Sequence, residues 1–228
     1  MMASVDGRVP AGGWPLSPEA RRQYELVHAS YEPDGWMCGR VTMEPFAKRV
    51  RSEAEVAREQ SRRRVGGAPR EDFRAPGAHD SFAFAVDPGG RLAWESNDVD
   101  GDHVVAVLSE RVSDEYLGFL RERGVSYVLA GARDVDLAVA LEKVGARFGV
   151  RTLMLEGGGP INGGMLRAGL IDEVSLLVAP VADGRVGTPA LFDVGDDDVT
   201  PRRLALESVE RRAGDVLWLR YRLEGRSS

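Results

Sequence analysis

Short apolar runs alternate with stretches of helical periodicity along most of this chain, and that alternation limits its fold more than any other feature. A polypeptide written this way makes an α/β sheet with crossover helices rather than a helical bundle or an all-β sandwich. The first helix opens at Ser17-Pro18, a capping serine followed by a proline in the first turn, and Tyr24, Val27, His28 and Tyr31 then recur at helical spacing. It ends near Pro33-Asp34-Gly35. Residues 35–39 (GWMCG) read as a buried strand and 41–50 as a helix. Residues 81–86 and 91–94 flank Asp87-Pro88-Gly89-Gly90, whose composition demands a turn. Strand 103–108, helix 113–122 and strand 125–130 form a strand-helix-strand unit, continued by a helix at 135–144 and a strand at 150–155. An apolar strand at 171–180 follows, and 204–211 with 216–223 read as an antiparallel hairpin across Ala213-Gly214-Asp215. The sum is an α/β fold with a mixed sheet of about eight strands. No internal repeat or linker divides it, so 1–228 is expected to be a single domain. Residues 51–79, rich in Arg and Glu with Gly66-Gly67, Pro69 and Pro76, read as a solvated helix and a polar surface excursion without chemistry.

An apolar content of 43% over 228 residues is enough for a substantial core. The formal charge of -6 argues against a dedicated nucleic-acid or membrane-surface protein, both of which need a concentrated positive face. The one cysteine, Cys38, forms no disulfide framework and no CxxC metal site, and is expected to be a small buried hydrophobe in a reducing cytoplasm. No run approaches the roughly 20 apolar residues of a membrane span, and no signal peptide is expected. His28, His79 and His103 show no ligand spacing to one another, so no metal is expected.

One segment departs from ordinary strand chemistry. Leu153-Met154-Leu155 has the apolar character of a strand covered on both faces, yet it runs into Glu156 and then Gly157-Gly158-Gly159, which cost backbone entropy and contribute no packing. Glycines there let backbone approach a ligand, and Pro160 is placed to start a helix whose free N–H groups attract phosphate. Ligands of open α/β sheets sit at this edge of the strands. A plain tight turn, with Glu156 as a helix-start carboxylate, is the alternative. A second turn of the same kind, Gly39-Arg40-Val41-Thr42, also follows a buried strand and opens a helix. Two such turns facing one another across a cleft would grip the two ends of a dinucleotide. Thr42 reads equally as a helix-start hydroxyl, and Arg40 as a phosphate partner or a solvated side chain.

Taken together, Ser4-Val5-Asp6-Gly7-Arg8, Trp14 ahead of the Ser17-Pro18-Glu19-Ala20-Arg21 helix start, Gly39-Arg40-Val41-Thr42, and Glu156-Gly157-Gly158-Gly159 with Gly169-Leu170-Ile171-Asp172-Glu173 and Ala179-Pro180 carry a resemblance. They resemble the reductase domain of bacterial riboflavin biosynthesis, within the dihydrofolate reductase superfamily, over most of the chain. The resemblance implies a three-layer α/β/α dihydrofolate reductase-like fold, and hydride transfer from NADPH to a carbonyl-type carbon of a ribosylaminopyrimidine. By the same resemblance Ala3, Trp14 and Thr42 touch NADPH, with Gly39 and Arg40 at the same turn. Gly158, Gly159, Pro160, Ile161, Asn162, Gly163 and Gly164 hold its phosphates and nicotinamide side. Glu156 faces the substrate as the catalytic carboxyl group. The cofactor supplies the hydride, so the protein needs orientation, a dry cleft and one proton donor. Asp6 is expected to order the first loop by bonding backbone amides.

The departures from the family bear on the substrate. Ser30 stands where members carry an arginine, and Met43-Glu44-Pro45-Phe46-Ala47-Lys48-Arg49 replaces an Ala-Asp-Asx-Pro segment leading to another. Lys48, Arg49 or Arg51 are candidates for a replacement phosphate clamp, with a solvated charged face as the plainer reading. Arg111 is a candidate 2′-phosphate contact. The family has a full first strand where this chain starts abruptly at Met1-Met2-Ala3, so a truncated strand or a late start is expected. The family pairs subunits through sheet edges near its C-terminal strands, and 174–181 (VSLLVAPV) is a candidate contributor to a homodimer. Two other functions stay open: a pterin reductase using Glu19, and a nucleotide-binding relative without catalysis.

Overall fold

The structure is a computed structural model and describes residues 1–9, 12–61, 70–195 and 200–224. Residues 62–69 of the expected surface excursion, including Gly66, Gly67 and Pro69, lie outside the described residues. In chain order the elements are β1 (Met2–Ala3), α1 (Pro18–Ser30), β2 (Gly35–Gly39), α2 (Arg40–Met43), β3 (Arg49–Val50), α3 (Glu53–Ser61), β4 (Phe82–Val86), β5 (Leu92–Ala93) and β6 (Asp98–Val99). There follow β7 (Asp102–Leu108), α4 (Asp114–Glu122), β8 (Ser126–Leu129), α5 (Leu137–Phe148), β9 (Leu153–Leu155), α6 (Gly159–Arg167), β10 (Glu173–Val178), β11 (Leu204–Arg211) and β12 (Leu217–Leu223). The chain forms two compact units, residues 33–154 and residues 1–32 with 155–228.

In the 33–154 unit the sheet runs β6-β7-β4-β2-β9, with β8 also paired to β7. Strands β2, β4, β7 and β8 are parallel and β6 is antiparallel, so the sheet is mixed. All five residues of β4 (FAFAV) are buried, as a strand covered on both faces requires. On one face Ala83, Ala85, Val104, Ala106 and Leu108 join Tyr116, Leu117 and Leu120 of α4 in the main core. Phe82 and Phe84 alternate with those alanines and so point the other way, where their rings meet Phe148 of α5 at 5.2 and 5.9 Å. Helices therefore cover both faces, which makes three layers. Ser113 caps α4 and Asp136 caps α5, each accepting from first-turn backbone N–H groups, and Gly149 closes α5 in the left-handed conformation.

The expected helix over 41–50 is far shorter. α2 stops at Met43, Glu44–Phe46 forms a 3-10 turn, and β3 begins at Arg49. Pro45 explains the stop, because proline disfavours a helical residue before it and offers no N–H to the helix. The start of the expected excursion is not solvated throughout either. Arg51 is buried, pairs with Glu59, donates to the Gly90 carbonyl at 2.7 Å and lies 4.9 Å over the Tyr116 ring. Asp72 is likewise buried, held by Lys143 and Arg147.

In the other unit the sheet order is β1-β10-β12-β11, with β1 parallel to β10 and the remaining pairs antiparallel. The C-terminal hairpin is β11-β12, as expected. Ser17 caps α1 through its hydroxyl, 3.2 Å from the Ala20 N–H, and Pro18 occupies the first turn. α1 buries Ala20 and Val27 with Trp14, Leu177 and Val216.

Candidate active site at the Glu156 turn

Glu156 is the first residue after β9. Its side chain is 14% exposed, and Oε1 lies 2.6 Å from Nδ1 of His28, in the last turn of α1. Gly157 has φ +95°, a conformation that L side chains rarely adopt. Gly158 then caps α6 without a side-chain hydrogen bond, and Pro160, which lacks an N–H, sits in the first turn. The N–H groups of this turn are thus offered to whatever approaches, the arrangement that favours an anion.

The next glycines serve a different purpose. A Cβ on Gly159 would stand 2.7 Å from the Ala190 carbonyl oxygen, and one on Gly163 would stand 2.6 Å from the Asp193 carbonyl oxygen. Both are therefore required by the protein's own segment 190–194, which packs on this face of α6. The Asp193 N–H donates to the Gly159 carbonyl at 3.1 Å, and Asn162 Nδ2 donates to the Leu191 carbonyl at 2.8 Å. Asn162 is 2% exposed, and its Oδ1 is buried without a partner among the described residues. Ile161 and Gly163 are buried, Gly164 is half-buried and Pro160 is exposed.

The first loop is tied to residues 183–188. Asp6 accepts from the Ser4 hydroxyl and from the Asp183 and Gly184 N–H groups, which hold its carboxyl down to about 2. Asp6 is thus a backbone organiser, but of the 183–184 turn. The Trp14 indole N–H donates to Asp183 at 2.7 Å, and the Arg185 guanidinium with that bond holds the Asp183 carboxyl well below the usual carboxylate range. Trp14 is 6% exposed, its ring spent on the core. Ala3 is buried in β1, where its carbonyl accepts from Ala179.

The second glycine turn belongs to the other unit. Gly39 caps α2 without a side chain, Arg40 pairs with Glu44, and Thr42 is exposed. Lys48 and Arg49 are 3.0 Å from Glu95 and Glu55, and Arg51 is committed to Glu59, so each candidate for the phosphate clamp already has an acidic partner. Arg111 is exposed after β7. Glu19 is exposed at the start of α1, its carboxyl lowered by its own backbone N–H and by Ser17, which makes it a helix-start carboxylate and a poor proton donor.

His28 is the partner of Glu156 that the sequence does not disclose. The sequence places His28 on the first helix and gives it no metal-ligand spacing to His79 or His103, and nothing local announces a partner 128 positions away. His79 and His103 instead stack on each other at 3.8 Å, within the 33–154 unit.

Residues 1–218 match the model of the RibD C-terminal domain. A 2,5-diamino-6-ribosylamino-4(3H)-pyrimidinone 5′-phosphate reductase of Methanothermobacter thermautotrophicus is 35% identical over 119 residues, 52% of this chain and 54% of the relative. A protein of the same name from Aquifex aeolicus is 32% identical over 38% of each chain. The matches thus take in about half, or less, of the length of these curated relatives. Among solved structures, a pyrimidine reductase-like protein from Corynebacterium diphtheriae superposes with a TM-score of 0.67 at 20% identity, over 99% of this chain and 90% of that one. At that identity the likeness shows a common fold.

Proposed function

Because the chain belongs to the RibD C-terminal domain family, we propose that it is an NADPH-dependent reductase of the riboflavin-pathway type, acting on a ribosylaminopyrimidine 5′-phosphate in the cytoplasm. The observation that carries this reading is the Glu156 turn, where an acidic side chain precedes an uncapped helix N-terminus. A dinucleotide phosphate fits there, since the α6 N–H groups are donors without a side-chain cap. NADPH supplies a hydride, and the protein supplies orientation and a proton. Gly158–Gly164 would hold the cofactor, with Ala3 and Trp14 in the same unit. Glu156 would face the substrate. The reading favours a reductase of this branch over a pterin reductase, because Glu19 is occupied in starting α1. Membership in the family and a paired Glu156 favour it over a non-catalytic relative.

The test is a titration of tryptophan emission with NADPH and, separately, NADH. Saturable quenching, tighter for NADPH, followed by substrate-dependent oxidation of NADPH in the presence of a ribosylaminopyrimidine 5′-phosphate, is the expected result. No binding of either nucleotide would sink the reading.

A homodimer is part of the proposal. β12 covers one edge of β10 and β1 pairs with Leu177 and Val178 on the other, and the contact expected from 174–181 is taken to come through a face of the sheet. Cross-strand register puts Leu176, Leu219 and Val209 on one face, with Val178 and Leu217 beside them and Leu206 beyond. Leu206, Val209 and Leu217 are 56%, 55% and 41% exposed. An apolar patch of this kind marks a contact surface, and a second copy of the chain is the occupant proposed. Light scattering should return twice the mass of the chain, and a monomer at micromolar concentration would refute the pairing.

A further inference from the structure

We infer that His28 is a positioning residue for Glu156 and that the two side chains together hold the proton consumed by the reduction. The inference rests on the proposed reductase reading. Nδ1 and Oε1 are 2.6 Å apart. Two bare lone pairs at that distance repel, so a proton lies between them. Glu156 has glycine as its next three neighbours, which give its carboxylate no packing partner, whereas α1 delivers His28 to it from a capped and packed helix. The imidazole therefore does for the carboxylate what its own segment does not: it fixes which way the oxygens face.

The chemistry supplies the need for that proton. Reduction of a ring-opened ribosylamine proceeds at a carbon-nitrogen double bond. The carbon takes a hydride from a reduced nicotinamide, the π pair moves to nitrogen, and nitrogen takes one proton. Two electrons and one proton enter with the hydride and one further proton enters from the protein, so the sum balances. Asp6 and Asp183 are occupied by backbone, Ser4, Trp14 and Arg185, Asp193 accepts from the Ala190 N–H, and Glu173 is held by Arg220 and Tyr31; the buried Met1 ammonium, within electrostatic reach of Glu156, donates to the Ser175 carbonyl at 3.1 Å. Glu156, 2.6 Å from the His28 imidazole, shares a proton with its partner across that contact. The His28 side chain is 29% exposed, which gives the pair a route to solvent for its return.

The experiment uses the full chain and two readouts. Histidine ¹H–¹⁵N spectra of the unliganded protein should show His28 protonated at Nδ1, with a signal that moves in Glu156→Gln. An unmoved signal would overturn the pairing. In steady-state turnover with NADPH and a ribosylaminopyrimidine 5′-phosphate, His28→Phe should lower kcat about 10- to 100-fold with KM within about twofold. The double variant with Glu156→Gln should be no slower than Glu156→Gln alone, since removing either member disables the same unit. Wild-type turnover in His28→Phe, a change confined to KM, or losses that multiply in the double variant would overturn the inference and leave the reductase reading standing. A wild-type protein that binds no nucleotide and reduces no ribosylaminopyrimidine would overturn both.

Discussion

Replacing Gly163 with valine should lower the melting temperature by roughly 6 to 12 °C, the equivalent of about 3 kcal/mol for a chain of this size. A Cβ at this position would stand 2.6 Å from the Asp193 carbonyl oxygen, 2.9 Å from the Asp193 carbonyl carbon and 2.6 Å from Val194 Cγ2. Two of those three atoms are backbone, which cannot rotate out of the way as a side chain would. The strain must be relieved by moving α6 or segment 190–194, and either movement breaks the Asn162 bond to the Leu191 carbonyl and the Asp193 bond to the Gly159 carbonyl. Gly145→Ala is the control. It lies within α5, its Cβ would meet only the Val150 carbonyl oxygen at an ordinary 3.6 Å, and alanine is the better helix former by about 1 kcal/mol. Differential scanning calorimetry of both variants reads the comparison. A Gly163→Val protein that melts with the wild type would mean that segment 190–194 does not pack where described.

That prediction marks what the sequence could and could not disclose. Glu156-Gly157-Gly158-Gly159 announced itself because four such residues at the end of an apolar strand have no packing rationale. Which glycine answers to a ligand and which to the protein is not local information, however. Gly159 and Gly163 are fixed by residues 27 or more positions later in the chain, in a segment with no regular structure to predict. The same division runs through the fold. Ser17, Ser113 and Asp136 act within a turn of themselves, so the α1 start and helices near 113–122 and 135–144 were legible from composition and spacing, the second running on to Phe148. Arg51 was read as surface because a charged residue in a charged stretch usually is. Its partners are Glu59, the Gly90 carbonyl and the Tyr116 ring, brought together only by tertiary structure. Strands β3 and β6, two residues each, are too short for an alternation to show, whereas β5 lies within the run read at 91–94. The family motifs singled out the turn as a candidate site, but His28 lies on none of them.

Glu156→Gln should reduce turnover about 100-fold or more while NADPH affinity stays within about twofold, a loss of roughly 2.7 kcal/mol of transition-state stabilisation. Glutamine has nearly the shape of glutamate and its amide oxygen can still face His28 Nδ1, so the turn, α6 and the buried Asn162 should keep their places. What the amide lacks is an exchangeable acid proton. A large kcat effect with intact nucleotide binding therefore separates proton supply from scaffold, which a truncation to alanine would not do, because alanine also leaves the imidazole without its partner. Nucleotide binding is measured by fluorescence titration and turnover by loss of NADPH absorbance, on one preparation. Equal kcat in the two proteins would remove Glu156 from the chemistry and reduce its role to holding His28. Loss of nucleotide affinity with kcat retained would place the carboxylate beside the cofactor instead of the substrate. The geometry favours neither of those outcomes: a side chain 14% exposed and bonded to imidazole at 2.6 Å is arranged for proton exchange.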